Sequence, residues 1–129
     1  MRRWHLIAGL VTLIAFALTG QYMDRWHEHL RHTPDAPRLL FRSRHIYFLL
    51  AGLLNIVLGL YLAPAAARWR KRLQNIGSAL ILAAPALLLH AFFTEPFRAD
   101  WHYQASFYGV ISLFAGTLLH LITASKNKG

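Results

Sequence analysis

Cysteine is absent from this chain of 129 residues. Its absence excludes thiol–disulfide exchange, Cys-ligated iron–sulfur clusters and zinc or copper sites that depend on thiolates. The small four-helix enzymes of disulfide exchange are therefore excluded as a class. Any metal or cofactor bound by this chain must be held by other side chains.

Charged side chains are missing from four long stretches. No Asp, Glu, Lys or Arg occurs in residues 6–23, 46–67, 73–94 and 103–125. Each stretch has the roughly 18–23 residues that an α-helix needs to cross a hydrocarbon layer about 30 Å thick. The pattern predicts an all-α integral membrane protein, a four-helix bundle with four transmembrane helices, in a single domain over residues 1–129.

Carboxylates are scarce, and the four stretches contain none. This excludes a proton-coupled small multidrug exporter, which needs a carboxylate within the membrane. The sequence also has no paired carboxylates for hydrolysis, no Gly-rich phosphate loop and no convincing Ser/His/Asp set. The formal net charge is +9. Because the basic residues flank apolar spans, we expect them to face anionic lipid headgroups and not nucleic acid.

The edges of the spans carry all four tryptophans, Trp4, Trp26, Trp69 and Trp101. Indole rings favour the level of the lipid headgroups, so the tryptophans support the predicted boundaries. With the N-terminus inside, eight Lys and Arg residues flank the inner side and six the outer side. The positive-inside rule then predicts a protein of the bacterial inner membrane with both termini cytoplasmic.

The second and fourth spans share a pattern. His45 is followed by Gly52 and Gly59, and the same spacing recurs 57 residues later at His102, Gly109 and Gly116. A step of seven residues places both glycines on nearly one helix face, where another helix or a flat ligand can approach the backbone. The pattern suggests two related hairpins.

Histidine is unusually frequent, with eight in the chain. In the predicted topology only His5 and His120 lie at the inner side, and the other six lie at or near the outer side. His90 lies about one turn inside the third span, so we expect it to face the bundle interior and to have a partner there.

Haem b is the first cofactor that this pattern suggests. A haem in a membrane bundle needs two imidazoles from different helices at equal depth, as in bis-histidine four-helix cytochromes. His45, His90 and His102 all lie at the outer level, and any two of them are candidate axial ligands. Arg42 and Arg44 are candidate partners for the haem propionates.

A divalent metal ion is the alternative cofactor. The segment His27-Glu28-His29-Leu30-Arg31-His32 would place His29 and His32 one turn apart on a helix, with His27 and Glu28 nearby. Imidazole and carboxylate ligands suit zinc, copper(II), nickel or iron.

Two readings without a histidine-bound cofactor stay open. One is an accessory or assembly subunit that packs against a larger membrane complex, or against copies of itself, through its glycine faces and aromatic residues. The other is a lipid or quinone pocket beneath Pro85, a residue that usually bends a helix. The sequence alone leaves open whether the protein is an enzyme.

Overall fold

The computed structural model describes residues 1–98 and 103–124, and this part of the chain is helical without a strand. The long helices are α1 (Arg2–Trp26), α2 (Asp35–Tyr61), α3 (Arg68–Thr94) and α4 (Gln104–Ala124). Short 3-10 helices follow α1 and α3 at Glu28–Leu30 and Glu95–Phe97. All four long helices are long and apolar enough to cross a membrane. The predicted all-α four-helix architecture is confirmed.

The helices extend beyond the charge-free stretches, with one exception. α2 begins at Asp35, well before the second stretch, because Arg and Lys side chains at a helix end reach the aqueous interface while the backbone remains helical. The exception is its other end: the prediction ran to residue 67, but α2 ends at Tyr61. Pro64 lies three residues further on, where it has no N–H to continue the helical hydrogen bonds.

Each helix packs most closely on its neighbour in sequence, α1 on α2 and α3 on α4. The glycines of the repeated pattern face these contacts. A Cβ at Gly59 would lie 2.5 Å from Leu6 of α1, and one at Gly116 would lie 2.6 Å from Ile81 of α3. Such short distances show that glycine is needed for the close approach of the two helices.

The two hairpins repeat these contacts in register. Gly52 faces Leu13, and Gly109 faces Leu88. Residues 57 positions apart on α2 and α4 therefore contact residues 75 positions apart on α1 and α3. This agreement supports two related hairpins of the same orientation, a parallel internal repeat.

The repeat is not fully symmetric, because only one of its two equivalent seams is closed. α2 packs along α3, whereas α1 and α4 make hardly any close backbone contact in the described residues. The apolar core lies on the closed side and consists of Phe48, Ala51, Ile81, Ala84, Leu88 and Leu113. An open seam between α1 and α4 therefore faces away from the core.

We name the two ends of the bundle by their charges. The basic end comprises the start of α1, the α2–α3 loop with the start of α3, and the end of α4. The other end, which we call the loop end, comprises the connections after α1 and α3. Trp4 and Trp69 at the basic end and Trp26 at the loop end are all more than half exposed, as expected for residues at the membrane interface.

Candidate functional site

His45 lies near the loop end on α2, half-buried against α1. Its ring stacks on Phe16 with 4.0 Å between centroids, and its Nδ1 lies 3.1 Å from the Oγ1 of Thr19. A Cβ at Gly20 would lie 3.5 Å from the ring, so this glycine leaves space beside it. One face of His45 and one of its nitrogens are thus already engaged by α1.

His90 is exposed on the outside of α3, which corrects the expectation that it faces the bundle interior. The reason lies in the helix period. Leu88 and Ala91 are buried on the inner face of α3, and a residue between them in the 3.6-residue turn points away from that face. His102 lies outside the described residues. Pairing of His102 with His45 or His90 stays a prediction.

The two arginines proposed for haem propionates lie in different surroundings. Arg42 is exposed, whereas Arg44 is 7% exposed and bonds the carboxylate of Glu95 through Nε at 2.8 Å. Glu95 is 1% exposed and also accepts from the backbone N–H of Ser106 at 2.9 Å. Arg44 therefore has an internal carboxylate partner and joins α2 to the connection between α3 and α4.

Beside this ion pair, a cavity of about 680 Å³ opens between α2 and α4. Its lining is mainly aromatic and aliphatic, with the polar groups of Arg44 and Ser106 among it. The lipid or quinone pocket expected beneath Pro85 is not found there, since Pro85 lines none of the three cavities described here.

The four residues of the predicted metal site do not share a helix. α1 ends at Trp26, and Glu28, His29 and Leu30 have φ values of 46°, 56° and 62°, a left-handed turn that non-glycine residues seldom adopt. This turn corrects the expectation of one continuous helix with His29 and His32 on one face.

The left-handed turn separates the polar side chains into pairs. His29 contacts Asp24, and His32 lies 3.3 Å from Glu28. The half-buried His27 packs instead between the rings of Phe41 and Tyr22. In residues 1–98 and 103–124, no three His, Asp or Glu side chains come together as a metal-binding group. A metal bound by His27, Glu28, His29 and His32 stays a prediction and would require this turn to rearrange.

The basic end contains a buried histidine that the sequence analysis set aside. His5 of α1 is 0% exposed, and its Nδ1 lies 2.7 Å from the Oδ1 of Asn55 on α2. The amide nitrogen of Asn55 donates to the carbonyl oxygens of Ala51 and Ile81. The amide oxygen must therefore be the acceptor from His5, so Nδ1 carries the proton.

The other nitrogen of His5 follows from this assignment. With the proton on Nδ1, a neutral His5 has a lone pair on Nε2. Nε2 is buried and has no hydrogen-bond partner. Buried polar atoms without partners are rare in native structures and call for an explanation, such as an unfilled binding role.

His120 of α4 lies next to His5. The two ring centroids are 6.4 Å apart and the ring planes are at 77°. His120 is 8% exposed, and its Nε2 lies 3.2 Å from the Oγ of Ser78 on α3. Each imidazole is thus oriented by a polar side chain from a neighbouring helix, and the two rings meet across the otherwise open α1–α4 seam.

Two cavities adjoin this histidine pair. One, of about 550 Å³, is lined by His120, Gln74 and the α2–α3 loop. The other, of about 500 Å³, is lined by Trp4, Gln74 and Ser78 among others. Gln74 fixes the loop between them, because it donates to the carbonyl oxygen of Ala63 and accepts from the N–H of Ala65.

This arrangement sets four apolar helices around buried polar groups at both ends of the bundle. The chain is a small integral membrane protein. Comparisons with protein-family models, curated proteins and solved structures found no match. Its function must therefore be argued from the side chains themselves.

Proposed function

We propose that this protein is a small electron-transfer subunit that binds haem b in the α1–α4 seam, with His5 and His120 as axial ligands. The observation that carries the proposal is the buried, unpartnered Nε2 of His5 beside a second buried imidazole. The proposal keeps the cofactor class expected from the sequence and moves its ligands to the other end of the bundle.

The hydrogen bond from His5 to Asn55 supports a ligand role. Metal-binding histidines commonly donate their second ring N–H to a carbonyl or carboxylate, which fixes the tautomer and orients the ring. The bond from Nδ1 to the amide oxygen of Asn55 has this form. Ser78 stands in the corresponding position for His120.

The distance between the rings supports axial ligation. Imidazole nitrogens bind first-row metals at about 2.0–2.1 Å, so two rings on opposite sides of one metal have centroids about 6 Å apart. The centroids of His5 and His120 are 6.4 Å apart. Ligands on opposite sides of the metal favour haem iron over a tetrahedral zinc ion.

The open seam supports a flat ligand. A macrocycle between the two rings would spread along the surfaces of α1 and α4, where the backbones hardly touch. The glycines do not provide this space, because Gly59 and Gly116 are used in contacts within the hairpins. In the proposed site, two protein ligands occupy both axial positions of the iron, which favours electron transfer over oxygen binding.

The visible spectrum of the protein tests this proposal. The protein is purified in mild detergent from a host supplied with haem precursor and metals, and spectra are recorded oxidised and dithionite-reduced, with metal analysis. We expect a Soret band that is lost in His5→Ala and His120→Ala and retained in His45→Ala and His90→Ala. All four variants remove one imidazole, so the second pair is a matched control.

The same experiment tests the sites predicted from the sequence. Loss of the Soret band in His45→Ala, His90→Ala or His102→Ala, with retention in His5→Ala, would place haem at the loop end. A colourless protein with stoichiometric metal that is lost in His29→Ala or His32→Ala would replace haem by a metal ion in the loop.

A cofactor-free accessory subunit is the second candidate function. It is favoured by the existing bonds of His5 to Asn55 and of His120 to Ser78, which are sufficient for a purely structural role between helices. A colourless, metal-free preparation from the supplied host would select this candidate. Native co-purification would then identify the larger membrane complex that it joins.

A further inference from the structure

We propose that the cavity between the starts of α1 and α3 binds the phosphate headgroup of an anionic phospholipid, with Arg3 and Lys71 as its cationic contacts. This site adjoins the histidine pair but does not depend on a haem. Its first support is the distribution of charge along the chain.

The basic end has no acidic side chain. All five acidic residues of the sequence belong to the loop end or to the connection between α3 and α4, namely Asp24, Glu28, Asp35, Glu95 and Asp100. The start of α1 carries Arg2 and Arg3, and the start of α3 carries Arg68, Arg70, Lys71 and Arg72. No aspartate or glutamate of the chain lies at this end, so the counter-charge comes from outside the protein.

The cavity places several of these cations together. It has a volume of about 500 Å³ and is lined by Arg2, Arg3 and Lys71, with Trp4 and Asn75 beside them. A cavity of this size between helix ends accommodates a phosphate group. Basic pockets between transmembrane helices are typical binding sites for acidic lipid headgroups.

The cations of this cavity differ in their engagement. Arg2 donates from Nε to the carbonyl oxygen of Gly59 and from Nη2 to that of Leu60, so it binds the end of α2. Within the part of the chain that the structure describes, Arg3 and Lys71 form no ion pair and no side-chain hydrogen bond. These two side chains remain available for an external anion.

The backbone adds to the positive potential. α1 and α3 both begin at this end, and neither has an acidic residue in its first turn or a side-chain cap. The first N–H groups of each helix are therefore without a side-chain acceptor, and the helix dipoles favour an anion here.

The surface beside the cavity favours a lipid over a free phosphate. Trp4 lines the cavity and is 65% exposed, which suits the headgroup level of a bilayer. Ile7 and Val11 follow on α1 and are 54% and 58% exposed, so acyl chains can lie along them. A headgroup in the cavity and its chains on α1 form one continuous contact.

Thermal unfolding with added lipid tests the proposal. The protein in a neutral detergent is titrated with phosphatidylglycerol, with phosphatidylcholine and with inorganic phosphate. We expect phosphatidylglycerol to raise the melting midpoint by several degrees, and the other two to leave it nearly unchanged. Native mass spectrometry should show one phosphatidylglycerol retained per chain.

Charge-removing variants locate the effect. Arg3→Gln with Lys71→Gln should lose most of the shift caused by phosphatidylglycerol, whereas Arg42→Gln, an exposed arginine on α2 nearer the loop end, should retain it. Because Arg3 and Lys71 make no polar contacts, the double variant should fold, and its circular dichroism checks this. A full shift in the double variant, or an equal shift with phosphatidylcholine, would overturn the site. An equal shift with inorganic phosphate would overturn the lipid as its ligand.

Discussion

Arg44 and Glu95 form an ion pair that is almost fully buried, with side chains 8% and 1% exposed. The pair joins α2 to the 3-10 helix after α3, and Ser106 of α4 bonds both partners. Three helices therefore meet at one charged contact. Since each charge is desolvated, its stability depends on the presence of the other.

Removal of one partner should destabilise the fold strongly. We expect Glu95→Gln and Arg44→Gln each to lower the free energy of unfolding by about 3–5 kcal/mol, because the remaining charge is buried without compensation. Unfolding by a denaturing detergent measures the change. Arg42→Gln, an exposed arginine two residues from Arg44, is the control and should change it by less than about 0.5 kcal/mol. A single variant at Arg44 or Glu95 as stable as the control would contradict the burial of the pair.

Larger side chains at the hairpin glycines should separate the helices. We expect Gly59→Leu and Gly116→Leu each to cost at least about 1–3 kcal/mol, since a Cβ alone would lie 2.8 Å from the backbone nitrogen of Leu6 and 2.7 Å from the carbonyl oxygen of Gly77. Thermal melting in detergent measures the loss.

Gly20 provides the matched control for the glycine series. The nearest atom to a Cβ there is a ring carbon of His45 at 3.5 Å, an ordinary contact distance. Gly20→Ala should therefore melt within about 1 kcal/mol of the wild type, whereas Gly59→Ala and Gly116→Ala should not. Wild-type stability in both of the latter would argue against close packing within the hairpins.

The orientation predicted from the positive-inside rule can be measured directly. Reporter fusions should place the segment Pro34–Pro37 on the outer side of the membrane and Arg68–Arg72 in the cytoplasm. This would put the His5–His120 pair at the cytoplasmic level and the Arg44–Glu95 pair at the outer level. The reverse result would exchange the two levels without altering the bundle.

The sequence predicts the number and position of the helices because charge segregation is a one-dimensional signal. Placing a charge in the hydrocarbon is costly, so charges lie only between the spans. The glycine spacing likewise predicts hairpin contacts, since seven residues return to nearly the same helix face. Both features are properties of single helices and were readable without a structure.

Partners across helices were less accessible, because most faces of these helices are apolar and give no clear direction. His90 was expected to face inward, yet it lies on the outer face of α3. His5 and His120 were placed at the same level of the bundle but not recognised as a pair. A joint signal did exist: Asn55 and Ser78 are polar residues inside charge-free stretches, and each now bonds one of these histidines.

Asn55 links the packing of the bundle to the proposed site. It is 0% exposed, accepts from His5 and donates to the carbonyl oxygens of Ala51 and Ile81. Asn55→Leu keeps a similar volume but removes the acceptor for His5. Since hydrogen bonds between membrane helices contribute about 0.6–2 kcal/mol each, we expect a loss of about that size in the free energy of unfolding.

Ser112 is the matched control for Asn55. It lies 57 positions later on α4, is half-buried and should tolerate Ser112→Ala with little change in stability. In the haem proposal, Asn55→Leu should also reduce haem occupancy or shift its absorption maximum, because His5 loses the group that fixes its tautomer. Ser112→Ala should leave the spectrum intact. If Asn55→Leu lowers stability but leaves the spectrum of a coloured protein unchanged, Asn55 does not orient a haem ligand and serves packing alone.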